Sequence, residues 1–136
     1  MSIQYVPAPE IEEQVWQIAA HLDMKHIDTR VRCVRSVGSK SRWTLARCHA
    51  MSKVFPTALE MPMHYVIEVI TETYDKLCEV EKTKTLIHEM LHIPRNFGGG
   101  LKSHKYVTDA RVDKLYEELV KIEALTQRVD LDRYLA

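Results

Sequence analysis

The residues best suited to chemistry lie in the segment TLIHEMLHIP, residues 85–94, which contains His88, Glu89 and His92. On a helix, residues four apart lie one turn apart on the same face, so both imidazoles can point a nitrogen at one metal ion. Glu89 lies about 100° around the helix, where its carboxylate can reach a water molecule held by that metal. One turn would thus supply two ligands and a base, the arrangement of a zinc hydrolase. The segment predicts a zinc site with Glu89 as catalytic general base.

The same two histidines also have a purely structural explanation. They lie in a segment that is otherwise apolar, with Leu86, Ile87, Met90 and Leu91 around them. Buried histidines need hydrogen-bond partners, so the pair could be core residues beside a surface glutamate. We favour the metal site, because two histidines and a glutamate occur together at the spacing that the chemistry needs.

A catalytic zinc ion takes three protein ligands and leaves a fourth position open to water. His104 is the best candidate for the third ligand, because it lies 12 residues after His92 and just beyond the three glycines at 98–100. Glycines adopt backbone angles that other residues avoid, so this segment can turn back toward the helix. We therefore expect His104 to complete the metal site. If it does not, an acidic residue such as Asp109 is the alternative ligand.

The basic residues are concentrated in one part of the chain. Residues 29–59 contain seven basic residues and no acidic one, so the remainder has 12 basic and 19 acidic residues, a net charge of −7. Such asymmetry can mark an anionic partner, or it can belong to a solvated face that pairs with acidic residues elsewhere. We favour pairing over a nucleic-acid partner, because no interleaved aromatic residues or nucleic-acid motif support binding. The basic residues are Arg30, Arg32, Arg35, Lys40, Arg42, Arg47 and Lys53.

Length and composition predict a single domain, residues 1–136. The chain is 46% apolar and 28% charged, as in ordinary globular proteins. Its three cysteines are far apart and form no C-x-x-C pair, which argues against a cysteine zinc ribbon and a disulfide framework. The N-terminal segment lacks the pattern of a signal peptide, and no apolar run is long enough for a membrane span. We therefore expect a cytoplasmic protein with no membrane partner.

The hydrophobic patterns predict the elements that must position these residues. Alternating apolar residues and β-branched residues indicate strands, whereas apolar residues three and four apart indicate helices. The order predicts an α+β domain in which a small three-stranded sheet packs on helices. The predicted elements are a helix from near Pro9, strands at 26–33 and 42–51, a short helix capped by Ser52, a strand at 64–70, and helices at 79–92 and 108–126.

The ends of the helix that carries the histidines are also predicted. Cys78 should be its N-cap, with Glu81 three residues on as an imperfect capping box. Pro94 should end it, because proline disfavours a helical conformation at the residue before it. No element is assigned to residues 128–136.

Residues 65–105, YVIEVITETYDKLCEVEKTKTLIHEMLHIPRNFGGGLKSHK, resemble the metallopeptidases found in archaea and phages. The features in common are a strand, an active-site helix, an Ile-Pro pair after the second histidine, a glycine-rich loop and a downstream histidine. Upstream, VRSVGSKSRWTLARCHAMSKVFPTALEM, residues 34–61, is also similar to that family. The resemblance covers about residues 26–120 and implies a minimal zincin-like fold, broadly similar to SprT-like proteases.

The resemblance also implies roles for individual residues. His88, His92 and His104 match the metal-binding histidines of the family, and Glu89 matches its catalytic glutamate. Cys78 departs from the family pattern, because a serine or a similar cap is more expected there. This departure concerns the start of the helix and leaves the metal site unaffected.

Together, the motif and the resemblance predict a zinc-dependent metallopeptidase, a hydrolase of peptide or protein substrates. Zinc lowers the pKa of a bound water toward ~7, and Glu89 would take the proton of that water and pass it to the leaving amine. The motif alone would also allow hydrolysis of other amides, so the peptide bond rests on the resemblance as well. The strand at 64–70 is expected to be the sheet edge along which an extended peptide pairs.

The alternative belongs to another class: a zinc-stabilised module that binds nucleic acid or protein through the basic segment 30–53. Glu89 argues against it, because a purely structural zinc site has no use for a base. The fourth metal position distinguishes the two, since water there means a catalytic site and a fourth side chain means a structural one.

Overall fold

The structure is a computed structural model that describes residues 2–135. The chain is an α+β domain, as predicted, with one mixed sheet against which α1 and α4 pack, while α5 packs on both of these helices. The elements are β1 (Gln4–Pro7), α1 (Pro9–His21), β2 (Val31–Val37), β3 (Ala46–Ala50), α2 (Val54–Leu59), β4 (Tyr65–Ile70), α3 (Thr71–Tyr74), α4 (Glu79–Leu91) and α5 (Asp109–Leu135).

The sheet has four strands rather than the three expected, in the order β1-β2-β4-β3. Strands β2 and β4 are parallel, and the outer strands β1 and β3 are antiparallel to their neighbours. The strand missing from the sequence prediction is β1, whose four residues are all exposed. A strand without a buried face shows no hydrophobic alternation, so its sequence carries no signal of period two.

The expectation that the strand at 64–70 forms the edge of the sheet is wrong. Strand β4 lies between β2 and β3, and five of its six residues are buried. An apolar run buried on both faces is typical of an interior strand. The edge strands are β1 and β3.

The first predicted strand, 26–33, is displaced toward the C-terminus and begins only at Val31. The Asp28 carboxylate accepts a hydrogen bond from the Arg30 backbone N–H at 2.9 Å and also pairs with the Arg30 guanidinium. Aspartate that bonds the backbone two residues on stabilises a turn. The alternation at 26–30 therefore belongs to a turn that leads into β2.

Helix α4 agrees with the prediction within one residue at its end. Cys78 is its N-cap in an extended conformation, but no side-chain cap hydrogen bond forms, so the capping box with Glu81 is absent. The short helix α2 is capped by Lys53 rather than by Ser52. Helix α5 continues well past the predicted end at 126, because no glycine or proline interrupts it.

Packing fixes the rotation of α4 and hence the direction of its histidines. Leu86, Ile87 and Met90 are fully buried in the core, and each contributes roughly 1.5–3 kcal/mol by leaving water. Rotating the helix would expose these side chains. This packing directs the face that carries His88 toward β3. His88 and Ala46 of β3 line the same cleft.

Four of the seven basic residues of the segment 29–59 pair with acidic residues, which supports the interpretation as a paired, solvated face. Within residues 2–135, the other three form no ion pair. The pairs are Arg30 with Asp28, Arg32 with Glu12, Arg35 with Glu10 and Asp75, and Arg47 with Glu68.

Candidate metal centre

The structure brings the three predicted histidines together. His88 lies in the last turn of α4, His92 is the C-cap of that helix, and His104 lies in the loop that precedes α5. The Nε2 atoms of His88 and His92 are 3.3 Å apart. One nitrogen from each of the three rings lies within 4.8 Å of the others. Residues distant in sequence thus form a single cluster of nitrogen donors.

The backbone of Lys102 fixes the orientation and tautomer of His92. The Lys102 carbonyl lies 2.6 Å from His92 Nδ1, and because a carbonyl can only accept, Nδ1 must carry the proton. The lone pair of His92 is then on Nε2, the atom that faces His88. Lys102 also donates its backbone N–H to the His92 carbonyl at 2.7 Å. Such a hydrogen bond behind a histidine is what orients a metal ligand.

The glycine-rich loop turns back toward the helix, as expected. Gly99 and Gly100 have φ values of 97° and 72°, which side-chain-bearing residues rarely adopt. The Tyr65 hydroxyl accepts a hydrogen bond from the Gly99 N–H at 2.9 Å and donates one to the Gly100 carbonyl at 3.2 Å. Tyr65 is completely buried in β4. The interior strand therefore anchors the loop that presents His104.

His88 is in the protonation state that a metal ligand needs. Burial lowers the pKa of His88 below its ordinary value of 6.5, and the neighbouring His92 and His104 lower it further, against an opposing effect of Asp109. The ring is therefore neutral at pH 7 and its lone pair is available.

Glu89 lies beside the histidines in a partly desolvated position. Its side chain is 6% exposed, and burial raises the pKa of the carboxyl to about 7. No group in the described part of the chain donates a hydrogen bond to this carboxylate, so its oxygens are free to accept a proton. A carboxyl with a pKa near the working pH is suited to general acid and base chemistry.

A cleft of about 310 Å³ reaches Glu89 and one of the three histidines, His88. His88 and Glu89 line one side, and Leu45 and Ala46, at the start of the edge strand β3, line the other. Trp43 also lines the cleft, although its side chain is 88% exposed. The sequence predicted the strand at 42–51 but did not place Trp43 or this strand at the cleft, because that placement depends on strand order.

The three histidines fit a metal ion. Ligands at about 2.0–2.1 Å in tetrahedral arrangement lie roughly 3.3 Å apart. The His88 and His92 nitrogens have this separation, and a nitrogen of His104 lies within 4.8 Å of those of the other two. Three imidazole ligands suit zinc and several other transition metals. Among residues 2–135, no fourth histidine, cysteine or carboxylate joins this cluster. The triad is therefore able to bind a metal and leaves a position for another ligand.

The family model described as "Putative phage metallopeptidase" matches residues 3–127. This match covers most of the chain, which therefore belongs to that family. The name of the family supports a metal-dependent peptidase acting on peptides or proteins, in agreement with the histidine cluster. No curated protein and no solved structure matches the chain significantly.

No helix within the described residues combines the length and the apolar character needed to cross a membrane.

Proposed function

We propose that the protein is a zinc-dependent metallopeptidase in which His88, His92 and His104 hold zinc and Glu89 is the general base. The single observation that carries this proposal is the convergence of three imidazole nitrogens next to a buried carboxyl, with His88 and Glu89 lining a cleft. When bound, zinc would supply a water of lowered pKa and polarise the carbonyl of the scissile bond.

Glu89 is the group that transfers the proton from the water to the leaving nitrogen. Its carboxylate accepts a proton from the attacking water as the water oxygen bonds to the carbonyl carbon. It then delivers this proton to the leaving nitrogen as the carbon–nitrogen bond breaks. Without a metal ion, burial raises the pKa of this carboxyl to about 7, so it holds a proton more tightly than an exposed glutamate does.

The edge strand β3 is the proposed binding strand for the substrate. It runs from the cleft, where Ala46 lies, and one of its edges pairs with β4. Its other edge pairs with no strand among residues 2–135, and an extended peptide would add a strand to the sheet there by backbone hydrogen bonds. The five residues of β3 span roughly 17 Å. Trp43 offers an exposed aromatic surface to a substrate side chain at the entrance.

The structural-zinc alternative has less support. A structural site uses four protein ligands, and the described residues contribute three to this cluster. Most of the basic segment that such a module would use is already paired with carboxylates. We therefore propose the enzyme in preference to the binding module.

The test is hydrolysis of a diverse peptide library by the zinc-loaded protein, with products identified by mass spectrometry. We expect one zinc per chain, cleavage that a chelator abolishes, and recovery of cleavage when zinc is restored. Cleavage that persists in the chelated protein would contradict the proposed role of the metal. Failure of the purified protein to retain zinc would contradict the proposed ligand set.

A further inference from the structure

A second cavity, of about 520 Å³, lies between the C-terminal ends of α1 and α4 and the first half of α5. It shares no lining residue with the cleft at the metal centre. We call this cavity the basic groove, because its rim carries five cationic side chains. These are Lys25, Arg95, Lys102, Arg111 and Lys114.

Most of the positive charge at the rim is not neutralised by the protein. The groove is lined by two carboxylates, Asp23 and Glu118, so the five cations give a net charge of +3. Lys25 pairs with Asp23 at 3.9 Å. In the part of the chain that the structure describes, the other four cations form no ion pair. In a chain with a net charge of zero, this groove is a local concentration of unpaired positive charge.

An aromatic ring positions two of these cations. The Lys102 ammonium lies 4.5 Å and the Arg111 guanidinium 4.4 Å from the centroid of the Tyr106 ring. Cation–π contacts of this length hold both groups at the groove, although their charges face solvent. The rim therefore presents its charges in a defined arrangement.

The rest of the lining is apolar, which restricts the class of ligand. A surface that follows a nucleic-acid backbone needs cations and polar donors, and an apolar floor contributes nothing to phosphate contacts. A protein segment that alternates carboxylates with apolar side chains would use both parts of the groove. The apolar side chains are Leu22, Met24, Met90, Leu91, Ile93 and Leu115.

We propose that the basic groove is a binding site for an acidic, amphipathic segment of a partner protein. Its carboxylates pair with the rim cations, and its apolar side chains cover the floor, where two methionines can adapt to their shape. The proposal concerns binding alone, so it stands or falls separately from hydrolysis in the cleft.

The groove is directly connected to the metal centre through Lys102. The side chain of this residue lines the groove, and its backbone carbonyl accepts the Nδ1 proton of His92. Leu91, which precedes His92, belongs to the floor. A segment bound in the groove therefore lies behind the helix end and the loop that carry the three histidines.

The experiment is a fluorescence-anisotropy titration of the full chain with a labelled peptide of about ten residues that alternates glutamate and leucine. Chelator is present so that the probe stays intact. A peptide with glutamate and serine, one with lysine and leucine, and a single-stranded oligonucleotide serve as comparison ligands. We expect the acidic amphipathic peptide to bind best, and binding to weaken as salt rises from about 50 to about 200 mM.

Charge reversal distinguishes the groove from a general charge effect. The double variant Arg111→Glu with Lys114→Glu should weaken binding by about tenfold or more. The matched control is Arg128→Glu with Arg133→Glu, which changes the net charge equally on the same helix but outside the groove. We expect the control to change affinity by less than about twofold. Circular dichroism verifies that each variant is folded.

A second groove variant, Arg95→Glu, lies outside the helices and gives the same test if the double variant is unfolded. It should weaken binding several-fold. Equal losses in the groove and control variants would overturn the proposal, as would no binding of the acidic amphipathic peptide. Tighter binding of the oligonucleotide or of the serine-containing peptide would also overturn it, because the apolar floor would then have no role.

Discussion

Substitution of Glu89 by glutamine should slow hydrolysis strongly and, at neutral pH, stabilise the metal-free fold. Glutamine has nearly the same shape, so the packing around Ile87 and Met90 should be retained. It cannot take up the proton of a water molecule. Both effects arise from one feature of the structure, a carboxyl buried without a hydrogen-bond donor. Removing it takes away the base needed for hydrolysis, but it also takes away a charge that is costly to bury.

The change in stability follows from the raised pKa. Burial raises the pKa of Glu89 from 4.5 to about 7, and each unit corresponds to about 1.4 kcal/mol. A carboxyl whose folded pKa is raised favours the folded state below pH 4.5, and this contribution is lost as pH rises toward 7. Relative to low pH, ionisation of Glu89 lowers the free energy of unfolding of the wild type by about 3 kcal/mol at pH 7 and by about 1 kcal/mol at pH 5. The free energy of unfolding of Glu89→Gln relative to wild type should therefore rise by about 2 kcal/mol between these two values.

The assay is urea unfolding of both proteins, followed by circular dichroism at pH 5 and pH 7 in the presence of chelator. The difference between the two pH values cancels any constant packing cost of the amide. All other side chains are the same in both proteins, so their pH-dependent contributions also largely cancel. A difference that does not depend on pH would refute the reasoning about burial.

The change in activity is measured on zinc-loaded proteins with a peptide that the wild type cleaves. Loss of a general acid and base should lower the rate by about 10²–10⁴-fold, while zinc content stays at one per chain. Chelator-sensitive cleavage that survives Glu89→Gln undiminished would rule out the proposed role of Glu89. A variant that loses zinc would show that the substitution disturbs the ligands instead.

Three further predictions concern other parts of the molecule. His104→Ala should lower zinc affinity by at least about tenfold in a competition assay with a chromophoric chelator; unchanged affinity would exclude this residue as a ligand and direct attention to Asp109. The basic segment 29–59 should bind nucleic acid weakly or not at all, and sub-micromolar affinity with a steep salt dependence would contradict the pairing seen in the structure. Glu12→Ala should lower the free energy of unfolding by about 1–3 kcal/mol, because it leaves the buried Cys33 N–H, now 2.9 Å from the carboxylate, without its acceptor. Glu12→Gln retains an acceptor and should cost less in the same denaturation experiment.

The relative placement of the two helical histidines and of Glu89 could be predicted from the sequence. Their relative positions depend on the geometry of one helical turn, which is the same wherever a helix forms. Apolar residues around them indicated the helix, and Pro94 indicated its end. The α+β class followed from the order of the patterns for the same reason, since each pattern is a local property of the chain.

Tertiary structure decided how the third histidine approaches the other two. The sequence indicated a flexible loop before His104, but the path of that loop depends on the Tyr65 hydroxyl, which comes from an interior strand 34 residues before Gly99. The Lys102 carbonyl that orients His92 likewise leaves no sequence signal, because any residue has a carbonyl. Only the backbone path shows which carbonyl lies behind the ring.

Strand order was also decided at the tertiary level. Periodicity detects which face of a strand is buried, but it does not tell which strands become neighbours, because pairing depends on contacts between distant segments. Strand β4 was therefore assigned to an edge of the sheet, although the edges are β1 and β3. Strand β1 was missed for a different reason, because all four of its residues are exposed and give no period-two signal. The basic groove has the same origin: its lining comes from residues 22–26, 90–95 and 102–118, and its positive charge exists only because the fold gathers these three segments.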